Sequence, residues 1–375
     1  MLKIIFAAPR RAAAGALALA LAFPAAAQIV IGQSAAFTGP VAAGVQETTA
    51  GAKLYFDAVN AAGGINGKTI ELVSLDDKFD PKLAGENARK LIVESRAMAL
   101  FLSRGTPHTQ AMLPALVEFK VPLVGPSTGA MALHKPVHPY VFNVRATYQR
   151  ETERAVKHLS LIGMDRIAVW HVDDAFGADA AAGAAIGFSD VKKQPLLLEK
   201  FDRNKPDFSV IAPRLAKAEA QAVVFIGTAA AVVEGTKAIR AAGSRAQIVT
   251  LSNNASGGFV KQMEKNAHGV IVTQVFPYER SLAAPIVKEA VDLAVAKGQE
   301  GVSPAMMEGF ASAKVLVAAL RKAGPNPTRE KLLAALNSLQ KLDIGGMEVN
   351  FSPADHTGLV FADLSIIGPD GKFRR

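Results

Sequence analysis

The chain has 375 residues, of which half are apolar and a fifth are charged, as in globular proteins of about two domains. It has no cysteine, which excludes disulfides, cysteine-ligated zinc, thiol nucleophiles and a lipid-anchored N-terminal cysteine. The formal charge is +9, yet no run of five cations occurs and only one Trp and four Tyr are available to stack on bases. We therefore expect no nucleic-acid partner, although the positive field favours small anions.

Residues 1–27 have the pattern of a cleavable export signal. Lys3, Arg10 and Arg11 precede an apolar stretch at residues 12–23, and small residues at 25–27 form the cleavage site. The apolar stretch is too short for a membrane span. We predict a periplasmic protein that is not a lipoprotein, and Arg10-Arg11 leaves both the general and the twin-arginine export routes open.

From Gln28 onward, short apolar runs alternate with helical stretches. The first series is predicted as strand Ile29–Gly32, helix Gly44–Ala61, strand Thr69–Leu75, helix Pro81–Ser95, strand Ala97–Leu102, helix Pro107–Phe119 and strand Pro122–Gly125. This βαβ repetition indicates a parallel sheet with helices on both faces.

A second series of the same kind begins near Thr147. It is predicted as helix Glu151–Ile162, strand Arg166–His171, helix Ala178–Phe188, strand Pro195–Phe201, helix Phe208–Lys217, strand Ala222–Ile226, helix Ala230–Ala242, strand Gln247–Leu251 and strand Val270–Gln274. Helices Pro304–Lys322 and Arg329–Leu339 follow, and a hairpin of Glu348–Phe351 with Leu359–Ile367 is predicted to close the chain. Two such series predict two lobes.

Two loops at the carboxyl ends of strands carry candidate chemistry, because ligands of open parallel sheets gather there. Residues 103–107 read Ser-Arg-Gly-Thr-Pro, with Thr106 predicted as a helix N-cap, and residues 125–129 read Gly-Pro-Ser-Thr-Gly. Hydroxyls and free N–H groups at helix starts favour an anion, so two converging loops would hold a carboxylate. The alternative is that Thr106 and Ser127 only cap their own helices.

The sequence raises two other chemistries. Gly125 to Gly129 matches the G-x-S-x-G pattern of serine hydrolases, with Ser127 as nucleophile and Asp355-His356 or His268 as partners. Against this alternative, no Gly-rich oxyanion loop is present. The seven histidines form no H-E-x-x-H motif and no phosphate-binding Walker loop occurs, so we predict no metal, no cofactor and no enzyme.

The order and spacing of several short blocks resemble the periplasmic solute-binding proteins of the leucine/isoleucine/valine-binding type, which serve ABC importers. The resemblance covers nearly the whole chain after residue 27. The blocks are Ile31–Ser34, Phe37–Pro40, Asn60–Gly67, Pro126–Gly129, Asp174–Gly177 and Leu251–Asn253.

The resemblance implies an α/β fold of two doubly wound parallel-sheet lobes, joined by three crossovers, with the ligand in the cleft between them. Lobe 1 would be residues 28–145 plus 276–351, and lobe 2 residues 146–275 plus 352–375. The crossovers would lie near Val144–Tyr148, Gln274–Tyr278 and Phe351–Asp355. By position, the family's ligand contacts fall on Thr106, Ser127, the backbone at Gly129, an aromatic lid at Phe176, and contacts near Thr228 and Ser252.

Two departures from the family pattern bear on the ligand. Residues 250–254, Thr-Leu-Ser-Asn-Asn, lack the acid that pairs with the ligand ammonium in branched-chain amino-acid binders, and the aromatic residue expected near Thr228 is missing. A buried ammonium without a counter-charge is costly, so the ligand is expected to lack an α-amine unless Asp173 or Asp174 substitutes. Arg104 is a candidate bidentate partner for a carboxylate, its alternative being a surface salt bridge.

The sequence therefore predicts a monomeric binding protein that captures a small carboxylate-bearing solute, amino acid-like or an aromatic or aliphatic acid, by hinge closure. Its partner would be an ABC permease in the inner membrane. The alternatives are branched-chain amino-acid binding and a ligand-sensing receptor subunit, with the hydrolase more remote.

Overall fold

The computed structural model describes residues 28–375, so the predicted export signal lies outside the described residues. The strands of this part are β1 (Gln28–Ala35), β2 (Thr69–Asp76), β3 (Ala99–Phe101), β4 (Leu123–Val124), β5 (Val141–Phe142), β6 (Ile167–Val172), β7 (Leu197–Phe201), β8 (Ala222–Ile226), β9 (Gln247–Thr250), β10 (Ile271–Gln274), β11 (Leu342–Asp343), β12 (Glu348–Val349), β13 (Asp363–Ile367) and β14 (Phe373–Arg374).

The α-helices between these strands are α1 (Ala42–Ala61), α2 (Pro81–Val93), α3 (Thr106–Phe119), α4 (Tyr148–Leu161), α5 (Ala175–Asp190), α6 (Ile211–Lys217), α7 (Ala229–Ala241), α8 (Gly257–Met263), α9 (Pro285–Ala296), α10 (Pro304–Lys322) and α11 (Arg329–Asn337). Short 3₁₀ turns occur at Met131–Leu133, Ser252–Asn254 and Glu264–Asn266. No helix within residues 28–375 is long and apolar enough to cross a membrane.

The first lobe is built on a five-stranded parallel sheet in the order β2-β1-β3-β4-β5. Successive residues of a strand point to opposite faces of the sheet, so neighbouring residues of β3 belong to different cores. Phe101 belongs to the core beneath α1, α9 and α10, whereas Leu100 belongs to the core beneath α2 and α3. The sheet is thus covered on both faces, which agrees with the wholly apolar sequences of β3, β4 and β5.

The second lobe is built on a seven-stranded sheet in the order β14-β13-β10-β9-β8-β6-β7. Strands β6 to β10 are parallel, and β13 and β14 add antiparallel edges. Every residue of β6 and β8 is buried, and Trp170 packs edge-on against Phe225 with ring centroids 5.3 Å apart. This lobe therefore has its own large core, separate from those of the first lobe.

The chain passes between the lobes in three segments: residues 143–147, 275–284 and 350–362. The first and third are bonded to each other, since Asn143 N donates to His356 O at 2.9 Å and Gly358 N donates to Asn143 O at 2.8 Å. The predicted fold class, two doubly wound α/β lobes, is confirmed.

The predicted C-terminal hairpin is wrong. Glu348–Val349 pairs with Leu342–Asp343, and Asp363–Ile367 pairs with β10 and β14 in the second lobe. Alternation of apolar residues marks a strand but does not identify its neighbour, and here the neighbour lies about 90 residues earlier in the chain. The prediction also omitted α8 and α9.

Candidate functional site

The loops after β3 and β4 lie side by side, as the sequence predicts. Ser127 N donates to Ser103 O at 2.7 Å, and the hydroxyls of Thr106 and Thr128 are 2.7 Å apart. Gly105 has φ +93°, a left-handed conformation that glycine adopts without strain. The two loops therefore present their hydroxyls on one surface at the carboxyl edge of the first sheet.

Neither Thr106 nor Ser127 caps a helix, so the prediction of Thr106 as N-cap is wrong. Helix α3 includes Thr106, its N-cap is Gly105, and no side chain bonds the free amides of the first turn. Gly105, whose φ of +93° and ψ of 146° are not helical, takes the N-cap position, so the helix begins one residue earlier than the cap pattern suggested. Both hydroxyls instead bond side chains of the same two loops, Thr106 with Thr128 and Ser127 with Arg104.

Arg104 spans the space between the lobes. Its Nη1 donates to Ser127 Oγ at 3.0 Å in the first lobe, and its Nη2 donates to Asn253 O at 2.6 Å in the second. The side chain is 6% exposed, and no carboxylate of residues 28–375 lies within 4 Å of its guanidinium nitrogens. Burial lowers the pKa of Arg104, opposed by Tyr148 and Glu308 nearby. The guanidinium is therefore a buried cation bonded only to neutral oxygens.

A second buried arginine, Arg145, lies in the first crossover and was missed in the sequence. Its Nη2 donates to Glu151 on α4 and to Ser252 Oγ at 2.7 Å, and its Nη1 is 3.6 Å from Glu308 Oε1 on α10. Glu151 also accepts from Ser252 N and from Thr273 Oγ1. These acids raise the pKa of Arg145 despite its burial.

The sequence contains a pattern that indicates this network of buried charges. Glu151 falls on the face of α4 that carries its buried residues, and Glu308 is surrounded in sequence by buried apolar positions of α10. A charged residue on an apolar helix face is rarely buried without a partner.

The predicted lid residue Phe176 packs against Tyr148, with ring centroids 4.7 Å apart. Arg145 lies over the other ring of this pair, 4.8 Å from the centroid of Tyr148. Burial raises the pKa of the Tyr148 hydroxyl, with Arg145 and Arg104 opposing the shift. The aromatic pair therefore adjoins both arginines at the hinge side of the cleft.

Gly129 and Thr228, two further predicted site residues, form no hydrogen bond with Arg104. Gly129 O accepts from Tyr148 N at 2.8 Å, and a Cβ at Gly129 would lie 2.7 Å from Ala146 O, so only glycine fits against the crossover. Thr228 caps α7 by accepting from Ala231 N at 3.3 Å and lines a separate groove of about 340 Å³. Of the predicted site residues, the structure thus brings together Arg104, Thr106, Ser127, Phe176 and Ser252. Gly129 lies against the first crossover, and Thr228 lies in the separate groove.

Neither aspartate suggested as a substitute counter-charge is free. Asp173 is largely exposed and pairs with Lys200 at 2.9 Å. Asp174 caps α5 by accepting from Gly177 N at 3.0 Å and also pairs with Arg203. The buried acid that acts on Arg104 is instead Glu308, whose Oε1 has no hydrogen-bond partner and faces Arg145 Nη1 at 3.6 Å.

The hydrolase constellation is not assembled in the described residues. Ser127 Oγ is bonded by Arg104, and His356 Nε2 lies 2.8 Å from Asn337 Oδ1 while its Nδ1 lies 2.9 Å from Val141 O. Asp355 caps its own turn through Thr357 N. No group of three or more potential metal ligands occurs within residues 28–375.

The space beside Arg104 is narrow. It is too small for a water molecule and is lined by residues of the first lobe: Gln33, Val45, Thr48, Leu102, Arg104 and Ser127. The lobes are in contact here through Arg104, whose side chain bonds both of them.

Two lobes of parallel sheet that meet on buried charged and hydroxyl side chains define the class of bilobal solute-binding proteins. The chain belongs to the periplasmic binding protein family, whose sequence model matches residues 28–362. The resemblance to the leucine/isoleucine/valine-binding type is confirmed by its relatives.

Three of these relatives show the extent of the similarity. A Leu/Ile/Val-binding protein of Escherichia coli K12 is 26% identical over 325 residues, covering 86% of this chain and 87% of the relative. A substrate-binding periplasmic protein from Ralstonia solanacearum is 31% identical, with a TM-score of 0.82 over 92% of this chain and 99% of the other. A possible leucine/isoleucine/valine-binding protein from Rhodopirellula baltica SH 1 is 27% identical, with a TM-score of 0.86 over 94% and 98%.

Proposed function

We propose that this protein is the periplasmic substrate-binding component of an ABC importer and captures a small carboxylate-bearing solute by closure of its two lobes. Lobe 1 would be residues 28–145 plus 276–351, lobe 2 residues 146–275 plus 352–375, and the three crossovers the hinge. The observation that carries the proposal is Arg104, a buried guanidinium without a carboxylate partner within residues 28–375.

A carboxylate would replace a carbonyl as the acceptor of Arg104. In the closed lobes Nη2 bonds Asn253 O, a neutral acceptor that leaves the buried charge uncompensated. A solute carboxylate could accept two charge-assisted hydrogen bonds from the same guanidinium group, as a bidentate ion pair. The hydroxyls of Thr106 and Ser127, on the same surface as Arg104, would complete its contacts. Phe176 and Tyr148 would cover its apolar part.

One observation favours a second candidate, a zwitterionic amino acid. The stretch 250–254 provides no acid, but Glu308 is buried, its Oε1 has no hydrogen-bond partner, and it lies close enough to Arg104 to oppose the lowering of that pKa by burial. Arg104 and Arg145 balance Glu151 and Glu308 in charge, so a zwitterion would leave this cluster neutral. The relatives named for leucine, isoleucine and valine binding agree with this candidate.

A thermal-shift panel on protein refolded to remove bound solute tests both candidates. Leucine, valine and threonine are compared with acids of the same side chain that lack the amine. A solute at one hundred times its Kd stabilises the native state by about 2.7 kcal/mol. Arg104→Gln should abolish every shift, whereas Arg89→Gln, on the surface beside Glu118, should abolish none.

The outcomes separate the candidates. Stabilisation by the amine-free acids alone supports the anionic solute. Stabilisation by amino acids that Glu308→Gln removes supports the zwitterion. A shift that survives Arg104→Gln unchanged refutes the carboxylate proposal.

A further inference from the structure

A glutamate of the first lobe is bonded to the backbone of the second. Glu47 on α1 accepts from Gly257 N through Oε2 at 3.0 Å and from Gly258 N through Oε1 at 2.8 Å. Both amides belong to the first turn of α8, where no intrahelical acceptor is available to them. The carboxylate therefore provides the acceptors that these two amides need, but only while the lobes are in contact.

The Glu47 carboxylate is held in place from its own lobe. Ser303, which precedes α10, donates from Oγ to Glu47 Oε2 at 2.6 Å and accepts from Met306 N at 3.2 Å. Because Ser303 belongs to the first lobe, this bond does not depend on closure. The carboxylate is thus pre-oriented toward the second lobe, which reduces the side-chain entropy lost when it bonds there.

The backbones of α1 and α8 also pack closely at this contact between the lobes. A Cβ at Gly258 would lie 2.3 Å from the Cβ of Ala43 on α1, a distance that real atoms do not adopt. A Cβ at the adjacent Gly257 would meet only the Glu47 carboxylate, at ordinary distances of 3.5 Å from Oε1 and 4.0 Å from Oε2. Gly258 is therefore required for the approach of the two lobes, whereas Gly257 is not.

We propose that Glu47 and the first turn of α8 form a closure latch, which stabilises the closed lobes and so raises solute affinity without contacting the solute. Glu47 is not among the residues that line the cavity beside Arg104, although Val45 and Thr48 of the same helix are. A solute that binds only the closed form gains apparent affinity in proportion to the population of that form. The latch rests on the proposed closing motion, but its contacts are independent of the solute's identity.

The absence of cysteine makes the latch directly measurable. Lys82→Cys on α2 and Lys237→Cys on α7 allow one exposed spin label to be attached to each lobe. Pulsed electron paramagnetic resonance then gives the populations of short and long distances between the two labels. The refolded protein is measured without solute and with each solute of the thermal-shift panel. The variants are Glu47→Gln and Gly258→Ala, with Gly257→Ala and Glu94→Gln as matched controls.

Glu47→Gln and Gly258→Ala should each lower the closed-to-open ratio about tenfold, equivalent to about 1.4 kcal/mol, and weaken solute binding by the same factor. In the two control variants, the closed-to-open ratio and the solute affinity should stay within twofold of the values for the unmodified protein. Alanine forms helix better than glycine, so Gly258→Ala should keep the melting temperature of the second lobe.

A ratio that is unchanged in both Glu47→Gln and Gly258→Ala overturns the latch. An equal loss in Gly257→Ala overturns it as well, because the effect would then come from the helix and not from interlobe contact. If no panel solute shortens the distance in the unmodified protein, the transport proposal fails, while the solute-free ratios of the variants still test the latch.

Discussion

Glu151→Gln is expected to destabilise the protein, because it removes a buried charge that Arg145 of the first crossover bonds. The Glu151 carboxylate is fully buried and accepts from Arg145, from Ser252 N at 2.9 Å and from Thr273 Oγ1. All three partners are donors. A glutamine amide has only one accepting oxygen, so its NH₂ group must face at least one of these donors.

The magnitude follows from the charge that remains. Removing one partner of a buried ion pair costs about 3–5 kcal/mol, because the other charge stays buried and uncompensated. Glu308 Oε1 remains 3.6 Å from Arg145 Nη1, so part of the compensation survives. We therefore expect a loss near the lower limit, about 3 kcal/mol, which is a large fraction of a typical domain stability.

Urea unfolding followed by the fluorescence of Trp170 measures this loss. Trp170 is the single tryptophan and is fully buried in the core of the second lobe, so it reports the lobe to which Glu151 belongs. The expected result is a lower midpoint at an unchanged slope. Glu153→Gln, two residues further along the helix and paired with Lys157 at 2.7 Å near the surface, should cost less than about 1 kcal/mol. Equal losses in the two variants would refute the buried-pair argument.

Three further outcomes are expected. Gly51→Ala should destabilise the first lobe by several kcal/mol in urea unfolding, because its Cβ would lie 1.9 Å from Met306 O where α1 and α10 cross. Thr228→Ala should cost about 1 kcal/mol by removing the cap that Ala231 N uses, without changing solute affinity in the thermal-shift panel. Burial raises the pKa of Glu279 from 4.5 to about 7, so the folded state keeps a proton that the unfolded chain releases. This carboxyl should therefore lower the stability as the pH rises from about 4.5 to about 7, by up to about 3 kcal/mol, and Glu279→Gln should remove that contribution when unfolding curves of the two proteins are compared across the range.

Elements whose residues are buried on both faces were the most predictable. The strand Ala222–Ile226 and the helix Pro304–Lys322 have the bounds that the sequence predicts. In each case an apolar run or a Ser-Pro start fixes the element locally, without information about its neighbours. The parallel arrangement followed because helices of more than ten residues separate most of the strands.

Pairings between distant segments were not predictable in the same way. The strand Asp363–Ile367 was found, but its partner Ile271–Gln274 was not, because either sheet could have accepted another edge strand. Arg145 and Glu308 are 163 residues apart and meet only once α10 packs against the first crossover. A charged residue on an apolar helix face shows that a partner exists, not which one.

The second lobe contributes several main-chain groups to the contact with the first, and these groups leave no mark in its sequence. Arg104 bonds Asn253 O, Glu47 bonds Gly257 N and Gly258 N, and Ala305 N bonds Ala255 O at 3.0 Å. Every residue has these groups, so no side-chain pattern marks them. Arg104 and Glu47 of the first lobe bond these main-chain groups through charged side chains, and exchanging Arg104 should change specificity more than any single substitution within residues 250–256.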